Sequence, residues 1–184
     1  MKWGILATGN IAKKFASTIN QMSNENEQLA AVGSRHMDSA KAFSREYDIP
    51  RFYDSYEALV NDSDVEAVYV ATPNSLHYEN CRLCLEHGKH VLCEKPMASN
   101  LEQAQEMFAE AEKQNLILLE GMRSIYAPSF QKMIPYMETL GTIRRATLQY
   151  CQYSSRYDKF KKGIIENAFN PKLSNGALMD IGSY

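Results

Sequence analysis

Three residues in this chain have the chemistry to move a proton at a reacting carbon: a lysine, a tyrosine and an aspartate. Lys95 sits in Cys93-Glu94-Lys95-Pro96, directly after the apolar run His90-Val91-Leu92 and ahead of a strongly helical segment. An ammonium group at the carboxyl end of a buried parallel strand lies where open α/β sheets bind ligands, and an X-Pro bond there can fix an unusual loop path. Asp180 and Tyr184 are four residues apart in Asn175-Gly176-Ala177-Leu178-Met179-Asp180-Ile181-Gly182-Ser183-Tyr184, and they share a face if that stretch starts a helix. A tyrosine ionises near pH ~10, so proton transfer at neutrality benefits from a neighbouring cation such as Lys95. Taken singly, such triplets and pairs are more often turns, caps and packing than catalysis. The elements that would position them therefore decide the reading.

The first of these elements is a short strand, Ile5-Leu6-Ala7, followed by Ile11, Ala12, Phe15, Ala16 and Ile19 at helical spacing. Between them, Ala7-Thr8-Gly9-Asn10-Ile11-Ala12 follows the G-x-G-x-x-G/A dinucleotide pattern with alanine in place of the first glycine. Gly9 would let the backbone approach a pyrophosphate, Ala12 is small enough for close helix-to-strand packing, and the helix amino end offers N–H groups. Read in isolation, the altered motif describes an ordinary strand-to-helix turn equally well.

A second apolar run, residues 29–33, ends in Ser34-Arg35-His36. An NAD-specific site usually carries an acid at this place, whereas an arginine can hold the 2′-phosphate of NADP. Ser34 and Arg35 stand where the acid would be, which favours NADP over NAD. The plainer alternative makes Arg35 a solvated residue before a helix capped by Asp38. Residues 65–71, apolar apart from Glu66, read as a central parallel strand covered on both faces. It leads into Ala71-Thr72-Pro73-Asn74-Ser75-Leu76-His77, where Thr72 and Asn74 would project toward a bound dinucleotide and Asn74 or Ser75 could cap the next helix.

The intervening segments fit the same plan. Residues 38–47 form a helix burying Ala40, Phe43 and Tyr47. Asp54 with Glu57 makes a capping-box-like start for a short helix through residue 60. Ser99 or Asn100 caps a helix with Leu101, Ala104, Phe108 and Ala111 on one face, and residues 116–119 are a sixth strand. Alternating strands and helices imply a parallel sheet with right-handed crossovers, complete near residue 120. Beyond it the character changes. Residues 128–140 read as a helix stopped by Gly141. Residues 143–153 read as a long strand, with Ala146, Leu148 and Tyr150 opposite Arg145, Thr147, Gln149 and Cys151. Such alternation suits an antiparallel sheet with one wetter face, and one strand does not make that sheet. The chain thus reads as stopping inside a second domain.

Other functional classes are disfavoured. Cys81, Cys84, His87, His90 and Cys93 recur every third residue, as metal ligands might. Cys81 and Cys84 fall on the apolar side of a helix, however, while His90 and Cys93 point to opposite faces of a strand, so buried thiols are expected and no metal. Apolar residues at 45%, charged residues at 23% and a formal charge of −2 describe a soluble globular chain without the basic block that nucleic acid would call for. The first residues do not match a signal peptide, no apolar stretch is long enough to cross a bilayer, and four cysteines without a secretory signal suggest reduced thiols in the cytoplasm.

Four motifs in order, Trp3-Gly4-Ile5-Leu6 with Gly9-Asn10-Ile11-Ala12, Ala71-Thr72-Pro73-Asn74 with His77, Glu94-Lys95-Pro96, and the terminal Gly176 to Tyr184 stretch, resemble the Gfo/Idh/MocA oxidoreductases. Within that family the chain looks most like the dihydrodiol dehydrogenase and xylose dehydrogenase subgroup. The resemblance implies an α/β fold: a Rossmann-type doubly wound parallel sheet over residues 1–120. The start of an α+β domain with a large, open, mainly antiparallel sheet would follow over 121–184. That second domain carries the substrate site and usually a homo-oligomer interface in the family. The resemblance also implies Lys95 as the active-site lysine, Tyr184 as general acid/base and Asp180 as the residue orienting substrate or base. Thr8, Gly9, Asn10, Ile11, Ser34, Arg35, Thr72, Pro73, Asn74, His77, Glu94 and Lys95 would line the cofactor. The implied reaction is hydride transfer between NADP, or NAD, and the carbinol or carbonyl carbon of a small molecule: a sugar, polyol or trans-dihydrodiol.

Alternatives are a non-catalytic NAD(P)-binding sensor or inactive fragment. More distant is a methyltransferase-type protein, disfavoured by Ser34-Arg35 in place of a ribose-binding acid. Ala7 for the first glycine, Ser174-Asn175-Gly176 for a triple glycine, and the residues Arg123 and Ile125 depart from the family pattern and leave the substrate open.

Overall fold

Six short strands, β1 (Lys2–Leu6), β2 (Gln28–Gly33), β3 (Arg51–Tyr53), β4 (Ala67–Val70), β5 (His90–Cys93) and β6 (Leu118–Glu120), alternate with five helices. These are α1 (Asn10–Gln21), α2 (Met37–Glu46), α3 (Tyr56–Val60), α4 (His77–Glu86) and α5 (Leu101–Lys113). The computed structural model describes residues 1–22, 26–182 and 184, and the chain falls into two compact units, Met1–Gly121 and Met122–Tyr184. In the first unit all strand pairs are parallel and the order is β3-β2-β1-β4-β5-β6, a Rossmann-type doubly wound sheet.

Alternation along each strand sends neighbouring residues to opposite faces, so the sheet has two cores. On one face Ile5, Val32 and Tyr69 pack with Ala12, Ala16 and Ile19 of α1 and Phe43 of α2. On the other, Leu6, Ala31, Val68, Val70, Val91, Cys93 and Leu118 pack with Leu59, Val60, Cys81, Cys84, Leu85, Met107 and Ala111 from α3, α4 and α5. The three buried cysteines are therefore core residues, and burial pushes the thiols of Cys84 and Cys93 well above the ordinary range.

Helix boundaries differ from the sequence expectation by a residue or so, each for a local reason. His36, not Asp38, is the N-cap of α2, and Asp38 lies in its first turn beside the positive helix end. Ser55, not Asp54, caps α3, its hydroxyl accepting from the Ala58 N–H at 3.1 Å. A 3₁₀ turn over Asn74–Leu76 precedes α4, so neither Asn74 nor Ser75 caps it. Asn100 caps α5 through Gln103 N–H at 2.9 Å. The buried stripe of α5 carries Met107 and Ala111, leaving Leu101 72% and Phe108 50% exposed. Both stripes share Ala104 and Ala111, so periodicity alone does not choose between them.

The second unit holds α6 (Pro128–Met137), α7 (Tyr157–Lys161) and α8 (Ala177–Asp180), with a 3₁₀ turn after α6 and Gly141 at a φ of 68° where the helix was expected to stop. Among its described residues no strand forms. The strand expected over 143–153 is exposed chain, with Leu148 at 93%, because a strand needs a partner for its N–H and C=O groups. The antiparallel sheet is thus not seen. α8 closes at Asp180, so Asp180 and Tyr184 do not share the face of one helix. Ser183, part of the terminal motif, lies outside the described residues. No described helix is long and apolar enough to cross a membrane.

Candidate active site

The register of the sheet brings the carboxyl ends of five strands to one level. Leu6 is paired with Gly33 and Val70, Val70 with Cys93, and Cys93 with Glu120. From β1 the order runs outward to β2 on one side and to β4 on the other, which makes the gap above β1 and β4 the topological switch point where such sheets bind ligands.

The turn from β1 to α1 is the floor of this row. Ala7, with a φ of 80°, takes the left-handed backbone that glycine adopts freely, and its N–H donates to the Gly33 carbonyl at 2.9 Å. Gly9 is different. Its φ is −73°, which any residue adopts, and no atom lies within 4 Å of where a Cβ would stand. Neither backbone nor packing asks for glycine, so the open space above it is the feature a close-lying phosphate requires. Gly9 is the N-cap of α1, which has no side-chain cap bond and no acid in its first turn, so the amino end keeps its positive potential. Thr8 is half-buried beside it, and Asn10 and Ile11 are exposed on the first turn.

At the end of β2, Ser34 is buried, its N–H donating to the Tyr53 carbonyl at 3.1 Å, while Arg35 reaches solvent. Burial pushes the Tyr56 phenol up, against the pull of the Arg35 guanidinium. Sequence reasoning missed Tyr56, because nothing in residue spacing links the loop after β2 to α3.

The ends of β4 and β5 are tied together. Thr72 is buried and its hydroxyl accepts from Asn80 Nδ2 at 3.1 Å. His77 is fully buried, with Nε2 2.8 Å from the Thr72 carbonyl oxygen and Nδ1 2.8 Å from that of Pro96. Both side chains are turned into the protein and hold the loops from beneath, while Pro73 and Asn74 are half-buried at the rim. Burial pushes the His77 imidazole below its ordinary value, against the carbonyls of Pro96 and Thr72 and the carboxylates of Glu94 and Glu120.

Glu94 accepts a hydrogen bond from the Tyr69 phenol, and Tyr69 stacks on Phe15 of α1 at 4.0 Å between ring centroids. The Lys95-Pro96 peptide is cis, Lys95 is half-buried, and the Met97 N–H donates to Glu120 Oε1 at 2.9 Å. A Cβ on Gly121 would meet the Cys93 carbonyl at 3.3 Å and Glu94 Oε1 at 3.4 Å, so the glycine lets the chain pass close to this loop. Tyr69, Asn80 and Glu120 escaped the sequence reading. A glutamate at the last position of an apolar strand was the one signal that pointed toward Glu120.

In the second unit, Arg123, Ser124, Tyr126, Ala127, Pro128, Tyr150 and Tyr184 line an open cavity of about 680 Å³. Its aromatic walls end in hydroxyl groups beside one guanidinium. Asp180, half-buried, is the last residue of α8.

Comparison with known proteins bears on these features. The family described as GFO_IDH_MocA, an oxidoreductase family with an NAD-binding Rossmann fold, matches residues 1–122. Scyllo-inositol 2-dehydrogenase (NADP(+)) IolU of Bacillus subtilis (strain 168) is 40% identical over 184 residues, covering 100% of this chain and 56% of that protein. Trans-1,2-dihydrobenzene-1,2-diol dehydrogenase of Mus musculus is 33% identical over 186 residues, covering 100% and 54%. Among solved structures, KijD10, a 3-ketoreductase from Actinomadura kijaniata in complex with NADP and TDP-benzene, is 29% identical with a TM-score of 0.71, covering 76% of this chain and 42% of that one. The chain spans about half the length of the curated relatives it matches.

Proposed function

We propose that this chain, which belongs to the Gfo/Idh/MocA oxidoreductase family, binds NADP in preference to NAD as part of an enzyme that oxidises or reduces a sugar, polyol or trans-dihydrodiol. The observation that carries the reading is the cradle at Gly9: an open Cβ position at an uncapped helix end, set at the switch point of a doubly wound sheet. The NADP preference rests on Arg35, an exposed guanidinium at the end of β2 where an acid would select NAD. The relatives whose names include inositol and dihydrodiol dehydrogenases support the substrate class.

Bound nicotinamide would supply the hydride chemistry, leaving alignment and proton transfer to the protein. Gly9 and the first turn of α1 would hold the pyrophosphate, and Asn74 and Pro73 would edge the nicotinamide half. Lys95 as a cation would stabilise negative charge that develops on the reacting hydroxyl. In this reading Tyr184 gives or takes the proton, and Asp180 orients it. The cavity of Arg123, Tyr126, Tyr150 and Tyr184 suits a hydroxylated ring, apolar on its faces and polar at its edge. Residues 1–120 would form the cofactor domain, and 121–184 the beginning of a substrate domain whose completed sheet also pairs copies of the protein. The cysteines are free thiols, as a reducing compartment such as the cytoplasm allows.

The test has two parts. Calorimetric titration of the chain with NADPH and NADH should show tighter binding of NADPH. In the intact protein, turnover with a panel of inositols, pyranoses and dihydrodiols should fall at least about a hundredfold in Lys95→Met, the scale of a general acid–base contribution. Equal turnover by Lys95→Met would remove the lysine from the mechanism. Tight NADPH binding without any turnover would favour a non-catalytic sensor instead.

A further inference from the structure

His77 is the buried titratable group that proton transfer does not use. It opens α4, has no exposed surface, and puts each ring nitrogen 2.8 Å from a backbone carbonyl, Thr72 behind it and Pro96 across the sheet end. Thr72 lies in the loop after β4, and Pro96 directly follows Lys95. An apolar side chain of similar volume would fill the same space, so two contacts at hydrogen-bond distance are more than packing asks for. We propose that His77 is a positioning residue: its ring ties the loop after β4 to the Lys95-Pro96 loop and so sets the position of Lys95 relative to the residues that edge the cofactor.

This inference rests on the reading that both loops face the cofactor. A carbonyl only accepts, so each contact is a hydrogen bond when the facing ring nitrogen carries hydrogen; the neutral ring serves one carbonyl and the imidazolium both. The charged groups that act on the ring are Glu94, in the loop after β5, and Glu120, at the end of β6. Two further contacts hold the same loop, Tyr69 to Glu94 and Met97 N–H to Glu120, yet neither reaches the loop after β4. The ring of His77 joins the two through the Thr72 and Pro96 carbonyls.

His77→Leu keeps volume and removes the ring N–H donor, whereas His77→Gln restores an N–H donor. In the cofactor-free chain, hydrogen exchange at the Glu94 and Met97 amides should quicken about tenfold in His77→Leu, with β1 and β2 unchanged, and should return to within about threefold of the parent in His77→Gln. In the intact enzyme, kcat should fall about tenfold in His77→Leu while the Kd for NADPH stays within about threefold, and glutamine should recover most of the rate. A glutamine variant no better than leucine, or exchange quickened throughout the sheet, would make His77 a packing residue and overturn the proposal. Should His77→Leu not fold, His77→Gln alone decides: exchange at Met97 more than about tenfold faster than the parent overturns the tie. Failure of the parent to bind NADPH would sink the functional reading, while exchange at Glu94 and Met97 would still decide whether the ring joins the loops.

Discussion

Ala7 holds a backbone conformation that its own side chain opposes. Its φ of 80° is that of the glycine the dinucleotide pattern has at this place, so the departure visible in the sequence has a local energetic consequence. Ala7→Gly should raise stability by about 0.5–1 kcal/mol, the remainder after relief of about 1–2 kcal/mol of left-handed strain against the greater freedom of glycine in the unfolded chain. The midpoint of urea unfolding measures it. Arg35→Ala should weaken NADPH binding about tenfold to a hundredfold and leave NADH binding nearly unchanged, as loss of one charge-assisted contact to a phosphate predicts. Equal weakening of both cofactors would remove Arg35 from phosphate recognition. Residue types alone singled out Gly9, Arg35 and Lys95 as candidates. They could not show that Thr72 and His77 face inward, because at the end of a strand the direction of a side chain depends on the path of the loop, which spacing does not encode.

Elements were the most legible scale. Five strands of the first unit and the five helices between them follow from apolar runs and helical spacing, whereas β3, three residues that begin with Arg51, is too short and polar to show as one, and caps moved by one residue where two good capping residues stood side by side, as at Asp54 and Ser55. Less legible was the anchor at the opposite end of the sheet. Arg51 at the start of β3 pairs with Asp62 at 2.6 Å, the Tyr53 phenol donates to the same carboxylate at 3.0 Å, and Lys89 ahead of β5 donates to the Asp62 and Val65 carbonyls at 2.8 and 2.7 Å. Burial pushes the Asp62 carboxyl up, but bonds from the Asp64 N–H, Tyr53 and Arg51 outweigh it and hold it below the ordinary range. A carboxyl lowered in the folded state stabilises above its unfolded pKa of about 3.9, and that contribution is lost as pH falls through the folded value. Asp62→Asn should therefore cost about 1–3 kcal/mol at neutral pH and flatten the loss of stability below about pH 4. Urea melts across that range would show parallel curves for parent and variant if the carboxylate were idle.

At the scale of the whole molecule, the two units differ in how completely they bury their apolar residues. The first has two cores around one sheet. The second exposes Ile143, Leu148, Tyr150 and Tyr153, of which Leu148 and Tyr150 alternate with Ala146 as a strand should but lie in chain without a ladder. The pattern was legible, but its outcome was not: a strand is a collective object, and no described residue pairs with this stretch. Backbone amides over 143–153 should exchange with solvent at nearly the unprotected rate while those of β1 and β4 are protected, as hydrogen-exchange mass spectrometry would resolve. Protection of that stretch equal to β4 would mean that it has found a partner.

The room above Gly9 has a genetic use. An alanine there meets no atom within 4 Å and suits a φ of −73°, so the fold should not register the change. The methyl group would nevertheless occupy the space that the proposed function gives to a phosphate. A Gly9→Ala allele would thus accumulate to parental levels while remaining blind to its nucleotide. A cell carrying it would separate what the protein does by being present from what it does by turning over.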